Sequence, residues 1–244
     1  MNRILILILL LASWVGGSLS HAELLLDTSK KPKHVEATMK PLFESVVRPY
    51  GDKHSADFGG SYGKPGTGDS EGSKFAWIFN GRRLLSSIGT YTPEIAPLED
   101  CAPDPSQINP DTHCNWQRMR FRVCHLFMFN DDNLKLANVI RLNIVRDKKQ
   151  LVGLPLCYGA PSAMAVAKVI PDAMLITMEY SDSAEPADKH SEPPYFHTTA
   201  LLRFSEVNGK LKIEQDDSCL GNPNKYKTIA AARKALAKCS TGGK

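Results

Sequence analysis

Two Asn-Gly dipeptides, Asn80-Gly81 and Asn208-Gly209, constrain the fold of this chain more than any other feature. Each lies between two runs rich in apolar and β-branched residues. An Asn-Gly pair in that setting marks a two-residue type I′ hairpin, whose two central residues both take positive φ. The pattern predicts strands over 75–79 and 82–91 around the first dipeptide, and over 199–207 and 210–215 around the second. In the second hairpin the two-residue loop opposes Phe204 to Ile213 on the core side and Arg203 to Glu214 on the other.

Between the hairpins, residues 118–129 alternate at first, with Met119, Phe121 and Val123 on one face and Arg118, Arg120 and Arg122 on the other. From Cys124 onward both faces are mainly apolar, as expected where a strand runs from a solvated rim into a covered sheet. Asp131-Asp132-Asn133 makes a turn, and 134–145 returns as a strand with Leu134, Leu136, Ile140, Leu142 and Ile144 on its inner side. Shorter strands are expected at 151–158, 164–169 and 173–180.

Helical spacing occurs twice. Val35, Met39, Leu42 and Val46 recur on one face near the N-terminus, with Pro41 expected to break or delay that helix and Gly51 to end it. Near the C-terminus an alanine-rich helix is expected over 225–238, with Ile229, Ala232, Ala235 and Leu236 on one side. The expected fold class is therefore α+β: a mostly antiparallel β-sheet built from hairpins, with an N-terminal and a C-terminal helix, stapled by disulfides. Residues 51–73 are glycine-rich and lack apolar periodicity, and 93–110 is a proline-rich acidic stretch, so both read as loops.

Residues 1–22 carry the pattern of a secretory signal peptide: Arg3, an apolar run from Ile4 to Ala12, and Ser20-His21-Ala22 before the cleavage point. That run is short for a membrane span, which needs about 20 residues. The expected organisation is a signal peptide over 1–22 and a single α+β domain over 23–244. A small N-terminal subdomain reaching to about residue 73 is the alternative division. Export to the periplasm follows, with release to the medium as the alternative. Stable membrane insertion of the mature chain is not expected.

The six cysteines (Cys101, Cys114, Cys124, Cys157, Cys219 and Cys239) all lie beyond that segment. In an oxidising compartment an even number points to disulfides, here with 15 formal connectivities. The expected pairs are Cys101 with Cys114, Cys124 with Cys157, and Cys219 with Cys239, each contributing about 2–4 kcal/mol through the unfolded chain. No C-x-x-C occurs, so thiol redox and zinc chemistry are disfavoured.

The net charge of +4 is too small and dispersed to call for a nucleic-acid partner, and none is expected. Gly59-Gly60-Ser61-Tyr62-Gly63 matches G-x-S-x-G, but its flanks lack the strand and the helix that a nucleophile elbow requires. Gly63-Lys64 falls one residue short of a phosphate-binding loop, and Pro65 replaces the magnesium-binding hydroxyl. Asp182, Glu185, Asp188, His190 and Glu192 supply oxygen ligands but fit no calcium-loop spacing. The basic residues Lys225, Lys227, Arg233, Lys234 and Lys238 of the C-terminal segment suit a helix C-terminus. His125, on an apolar strand face, reads as a hydrogen-bonded core residue, and His197 as the general base if the chain is a hydrolase using Ser61.

The one surface feature with a defined geometry is the row Arg118, Arg120, Arg122, spaced about 7 Å apart along a strand. With Trp116 beside it, the row suits an acidic patch on a protein partner. These observations lead to the expectation of a non-enzymatic, exported binding protein that recognises and neutralises a protein, as inhibitors and toxin-immunity proteins do. The alternatives are a secreted serine hydrolase and a structural envelope-associated protein. No cofactor and no metal are called for.

Overall fold

A computed structural model describes residues 22–53, 74–91, 123–144, 156–157, 163–181 and 195–241. The chain opens with strand β1 (Leu24–Leu26), helix α1 (Pro32–Leu42) and helix α2 (Arg48–Lys53). Strands β2 (Phe75–Phe79), β3 (Arg82–Tyr91), β4 (Val123–Asn130) and β5 (Leu136–Leu142) follow. The second half holds β6 (Leu156–Cys157), β7 (Ala163–Val166), β8 (Ala173–Ser181), β9 (Tyr195–Val207), β10 (Lys210–Gln215) and helix α3 (Ile229–Thr241).

The strands form two antiparallel sheets rather than the single sheet expected. The first has the order β1-β2-β3-β4-β5, and the second runs β10-β9-β8, with β6 and β7 both pairing along the far edge of β8. Both expected turns take type I′ geometry, with positive φ at Asn80, Gly81, Asn208 and Gly209. Phe204 faces Ile213 and Arg203 faces Glu214 across the second turn, although the ion pair of Arg203 is with Asp172, at 2.9 Å.

The sheets stack face to face. Trp77, Phe79, Leu84, Ile88, Leu126 and Met128 from the first meet Met174, Ile176, Met178, Leu202, Phe204 and Ile213 from the second. Each outer face carries a helix. α1 lays Val35, Met39 and Leu42 over Leu85, Phe127 and Phe129, and α3 lays Ala232 and Leu236 over Leu175 and Leu201. The result is a helix–sheet–sheet–helix sandwich, which is why β3 and β4 are buried at nearly every residue. The free edges are tied by polar contacts. Leu24 N–H donates to the Pro171 carbonyl on one side. On the other, Asn138 donates to Leu211 C=O, and the Gln215 amide both accepts from and donates to the backbone of Asn143.

Three local expectations are corrected. Pro41 lies inside α1 and does not stop it. The chain widens instead into a π-type turn over Phe43–Val47, in which Arg48 N–H reaches the Phe43 carbonyl five residues back. This turn lies on the C-terminal side of Pro41, whose ring bears on the carbonyl four residues back, at Ala37. Gly51 sits within α2 rather than ending it. In β5 a bulge at Ala137 sets Asn138 against Met128 but Leu136 against Phe129. Leu134 and Leu136 are consequently 38% and 40% exposed, whereas Leu142 and Ile144 face the core as expected.

α3 starts at Ile229 rather than near 225, because Thr228 caps it: its hydroxyl accepts Ala231 N–H and its carbonyl Ala232 N–H. The residues before Thr228 are occupied otherwise, and they build the candidate site.

Candidate functional site

Beyond β10 the chain turns through Asp216–Gly221 and lays residues 222–227 across the outer edge of β9. The side chain of Asn224 makes this strap. Its Oδ1 accepts Thr199 N–H at 3.1 Å and its Nδ2 donates to the Thr199 carbonyl at 2.9 Å. Oδ1 also accepts Tyr226 N–H, and Nδ2 also donates to Gly221 C=O. Asn224 N–H donates to the Thr198 hydroxyl, and the Thr199 hydroxyl donates to the Tyr226 carbonyl at 2.7 Å. One amide side chain thus takes the place of a neighbouring strand's peptide group. The disulfide Cys219–Cys239 anchors the same stretch to the C-terminal end of α3, with Cα atoms 5.9 Å apart.

Between this strap and the start of β9 opens a cavity of ≈480 Å³, bounded on the strand side by Tyr180, Phe196 and His197 and on the strap side by Lys225, Tyr226 and Lys227. Tyr180 and Phe196 lie side by side on neighbouring strands, ring centroids 5.6 Å apart, and Phe196 is 41% exposed. His197 lies opposite Glu179 in the register, with Nε2 3.2 Å from Glu179 Oε1. The cavity therefore presents an aromatic wall, two exposed ammonium groups and one half-buried imidazole held by a carboxylate. Such a surface suits a ligand that is apolar on one side and anionic on the other.

Of the residues singled out from the sequence, His197, Lys225 and Lys227 are placed in this cavity; the two lysines precede α3, which starts at Ile229, rather than lying near a helix C-terminus. Ser61, Trp116, Arg118, Arg120, Arg122, Cys101 and Cys114 lie outside the described residues, as does the stretch containing Asp182, Glu185, Asp188, His190 and Glu192. Among the described residues no three His, Cys, Asp or Glu side chains converge as metal ligands. Cys219 and Cys239 form the expected bond. Cys124 is disulfide-bonded as well, and it lies on β4, which packs against β6, the strand that carries Cys157. His125 is 2% exposed among Tyr50, Tyr91 and Phe127, its ring 5.5 and 5.4 Å from the two tyrosines, so it is a packed interior residue.

Sequence reasoning missed Glu179, Asn224 and the aromatic wall. Glu179 meets His197 only because β8 and β9 pair, and Asn224 stands in an irregular segment where periodicity carries no signal. Comparison with protein-family models, with curated proteins and with solved structures finds no match.

Proposed function

We propose that this chain is an exported, non-enzymatic binding protein that recognises and neutralises a protein partner bearing an acidic patch, in the periplasm or released from it. The observation that carries this reading is the open cavity at the end of the second sheet, where Lys225 and Lys227 rim an aromatic wall of Tyr180, Phe196 and Tyr226. Aromatic anchors and cations presented by a rigid element are what a protein-recognition surface needs. The disulfide-bonded cysteines Cys124, Cys219 and Cys239 favour an oxidising compartment. No helix among the described residues is long and apolar enough to cross a membrane. The arginine row Arg118, Arg120, Arg122 with Trp116 belongs to this proposal as a second contact surface.

The test is affinity capture with oxidised residues 23–244 against envelope and secreted fractions, run beside Lys225→Glu/Lys227→Glu and Arg120→Glu. A partner held by the native chain, released by either charge reversal and less active when bound supports the reading. Retention of nothing, or of the same proteins by all three baits, refutes it.

One observation favours a second reading, that of a serine hydrolase. Glu179 supplies His197 with the carboxylate that would orient a general base. If Ser61 is its nucleophile, a fluorophosphonate probe labels the native chain and fails to label Ser61→Ala and His197→Ala.

A further inference from the structure

The register of the second sheet shows where β9 stops being paired. Phe204 N–H donates to Asp172 on the β8 side, so even-numbered residues of β9 bond toward β8 and odd-numbered ones outward. Outward groups up to Arg203 face β10, Leu201 C=O accepts Asp216 N–H, and the N–H and C=O of Thr199 are taken by Asn224. The next outward residue is His197, two positions or about 7 Å further along the edge. Among the described residues its outward N–H and C=O have no partner, and they border the cavity lined by Phe196, Lys225 and Lys227.

We propose that this edge receives an extended acidic segment of the partner protein by strand addition. Two backbone hydrogen bonds to His197 continue the ladder that Asn224 extends past β10. Alternate side chains of an added strand fall on opposite faces. One set meets Tyr180 and Phe196, and the other meets His197 and Tyr226. The choice of an acidic segment rests on charge. Lys225 and Lys227 are both exposed beside the edge, and from Ser218 to Lys244 the sequence contains six Lys or Arg and no Asp or Glu. Glu179 is already engaged by His197.

This inference deepens the protein-binding reading and rests on it, so its test separates the two. A random decapeptide display library is selected on the oxidised chain, and the best binder is resynthesised with N-methyl groups at alternate amides in both phases. Acid-rich peptides with alternate apolar residues are expected. One N-methyl phase should weaken binding about tenfold, the cost of a lost backbone hydrogen bond or two. Lys225→Glu/Lys227→Glu should do at least as much. His197→Pro removes an outward N–H without touching the β8 ladder and should also weaken binding, and the N-methyl peptides report the same bonds without altering the protein. Peptides that tolerate both N-methyl phases, or a library that yields none, overturn strand addition. Capture of a folded partner by the same chain would then keep the broader reading alive. Dimerisation of the chain that is lost in His197→Pro assigns the edge to a second copy and overturns the acidic-peptide proposal.

Discussion

The amide of Asn224 and the peptide group of Thr199 form a two-way hydrogen-bonded pair, at 3.1 Å to Oδ1 and 2.9 Å from Nδ2. The same device recurs at the sandwich edge, where the Gln215 amide pairs with the backbone of Asn143 at 2.9 and 2.8 Å. In both places a side chain completes a sheet edge that no strand reaches. The functional proposals depend on the first of these pairs, because it fixes the strap that carries Lys225 and Lys227.

Asn224→Ala should therefore cost about 2–6 kcal/mol, since four bonds to the amide are lost and each is worth about 0.5–1.5 kcal/mol net. Asn224→Asp retains the acceptor to Thr199 and Tyr226 but sets a second acceptor against two carbonyls, so it should fall in the same range. Denaturant unfolding of the oxidised proteins measures both. A loss under 0.5 kcal/mol in Asn224→Ala would show that the strap is held by other means.

Gly89→Ala should destabilise more than Gly81→Ala. A Cβ at Gly89 would stand 2.6 Å from the Tyr91 hydroxyl, 2.8 Å from the Phe127 ring and 2.9 Å from Val47. Overpacking of this kind costs about 1–3 kcal/mol, because three buried groups must move together. Gly81 has open space around it and only a φ of +76°, so alanine there costs about 1–2 kcal/mol in backbone strain. Thermal melts of the two variants should rank in that order.

Stability should fall as the solution is acidified below the ordinary aspartate range. The carboxyl of buried Asp27 is held below its usual pKa by the Ser29 hydroxyl first, against the opposing effect of burial, with Ser29 N–H, Arg83 and Lys30 adding to the shift. Asp216 is shifted the same way, chiefly by Ser218. A carboxyl whose folded-state pKa is depressed contributes stability above its unfolded value, near 4. It loses that contribution as pH drops through the folded value. Ser29→Ala should thus raise the pH of acid unfolding followed by circular dichroism. An unchanged acid limb would remove Asp27 from the account.

Cys239→Ser should lower stability by about 3 kcal/mol, the value for a closed loop of some 20 residues. It should also free the strap, because the bond joins Cys219, at its start, to α3. Peptide mapping under non-reducing conditions should recover the Cys219–Cys239 bond, together with a cross-linked fragment containing Cys124. Cys157 is the expected partner of Cys124, and a Cys124 fragment linked elsewhere would refute that pairing.

Much of the strand framework was legible because its signals are local. Asn80-Gly81 and Asn208-Gly209 need no distant partner to form their turns, and the Phe204–Ile213 register follows from loop length alone. The face of α3 was equally readable from Ile229, Ala232 and Leu236. What escaped depends on tertiary choice. The apolar faces of β4 announce that it is covered on both sides but not that one cover is a second sheet. The bulge at Ala137 has no composition of its own, so strict alternation puts Leu136 on the wrong side. Pro41 reads as a helix breaker, yet it stands in the last turn of α1. The sequence offers His197 as a general-base candidate with Ser61; its carboxylate, its aromatic neighbours and the unpaired edge beside it arise from pairing between β8 and β9.

Among the described strands each sheet is drawn from one portion of the chain: β1 to β5 end at Leu142, β6 to β10 begin at Leu156, and each portion brings its own covering helix. The backbone passes from one sheet to the other only once among these elements. The molecule is thus assembled like a heterodimer whose two unlike subunits share a single polypeptide. Its central core is their interface, and the Asn143–Gln215 contact is a clasp at that interface's rim. Two fragments divided between β5 and β6 should accordingly carry enough matching apolar surface to find each other.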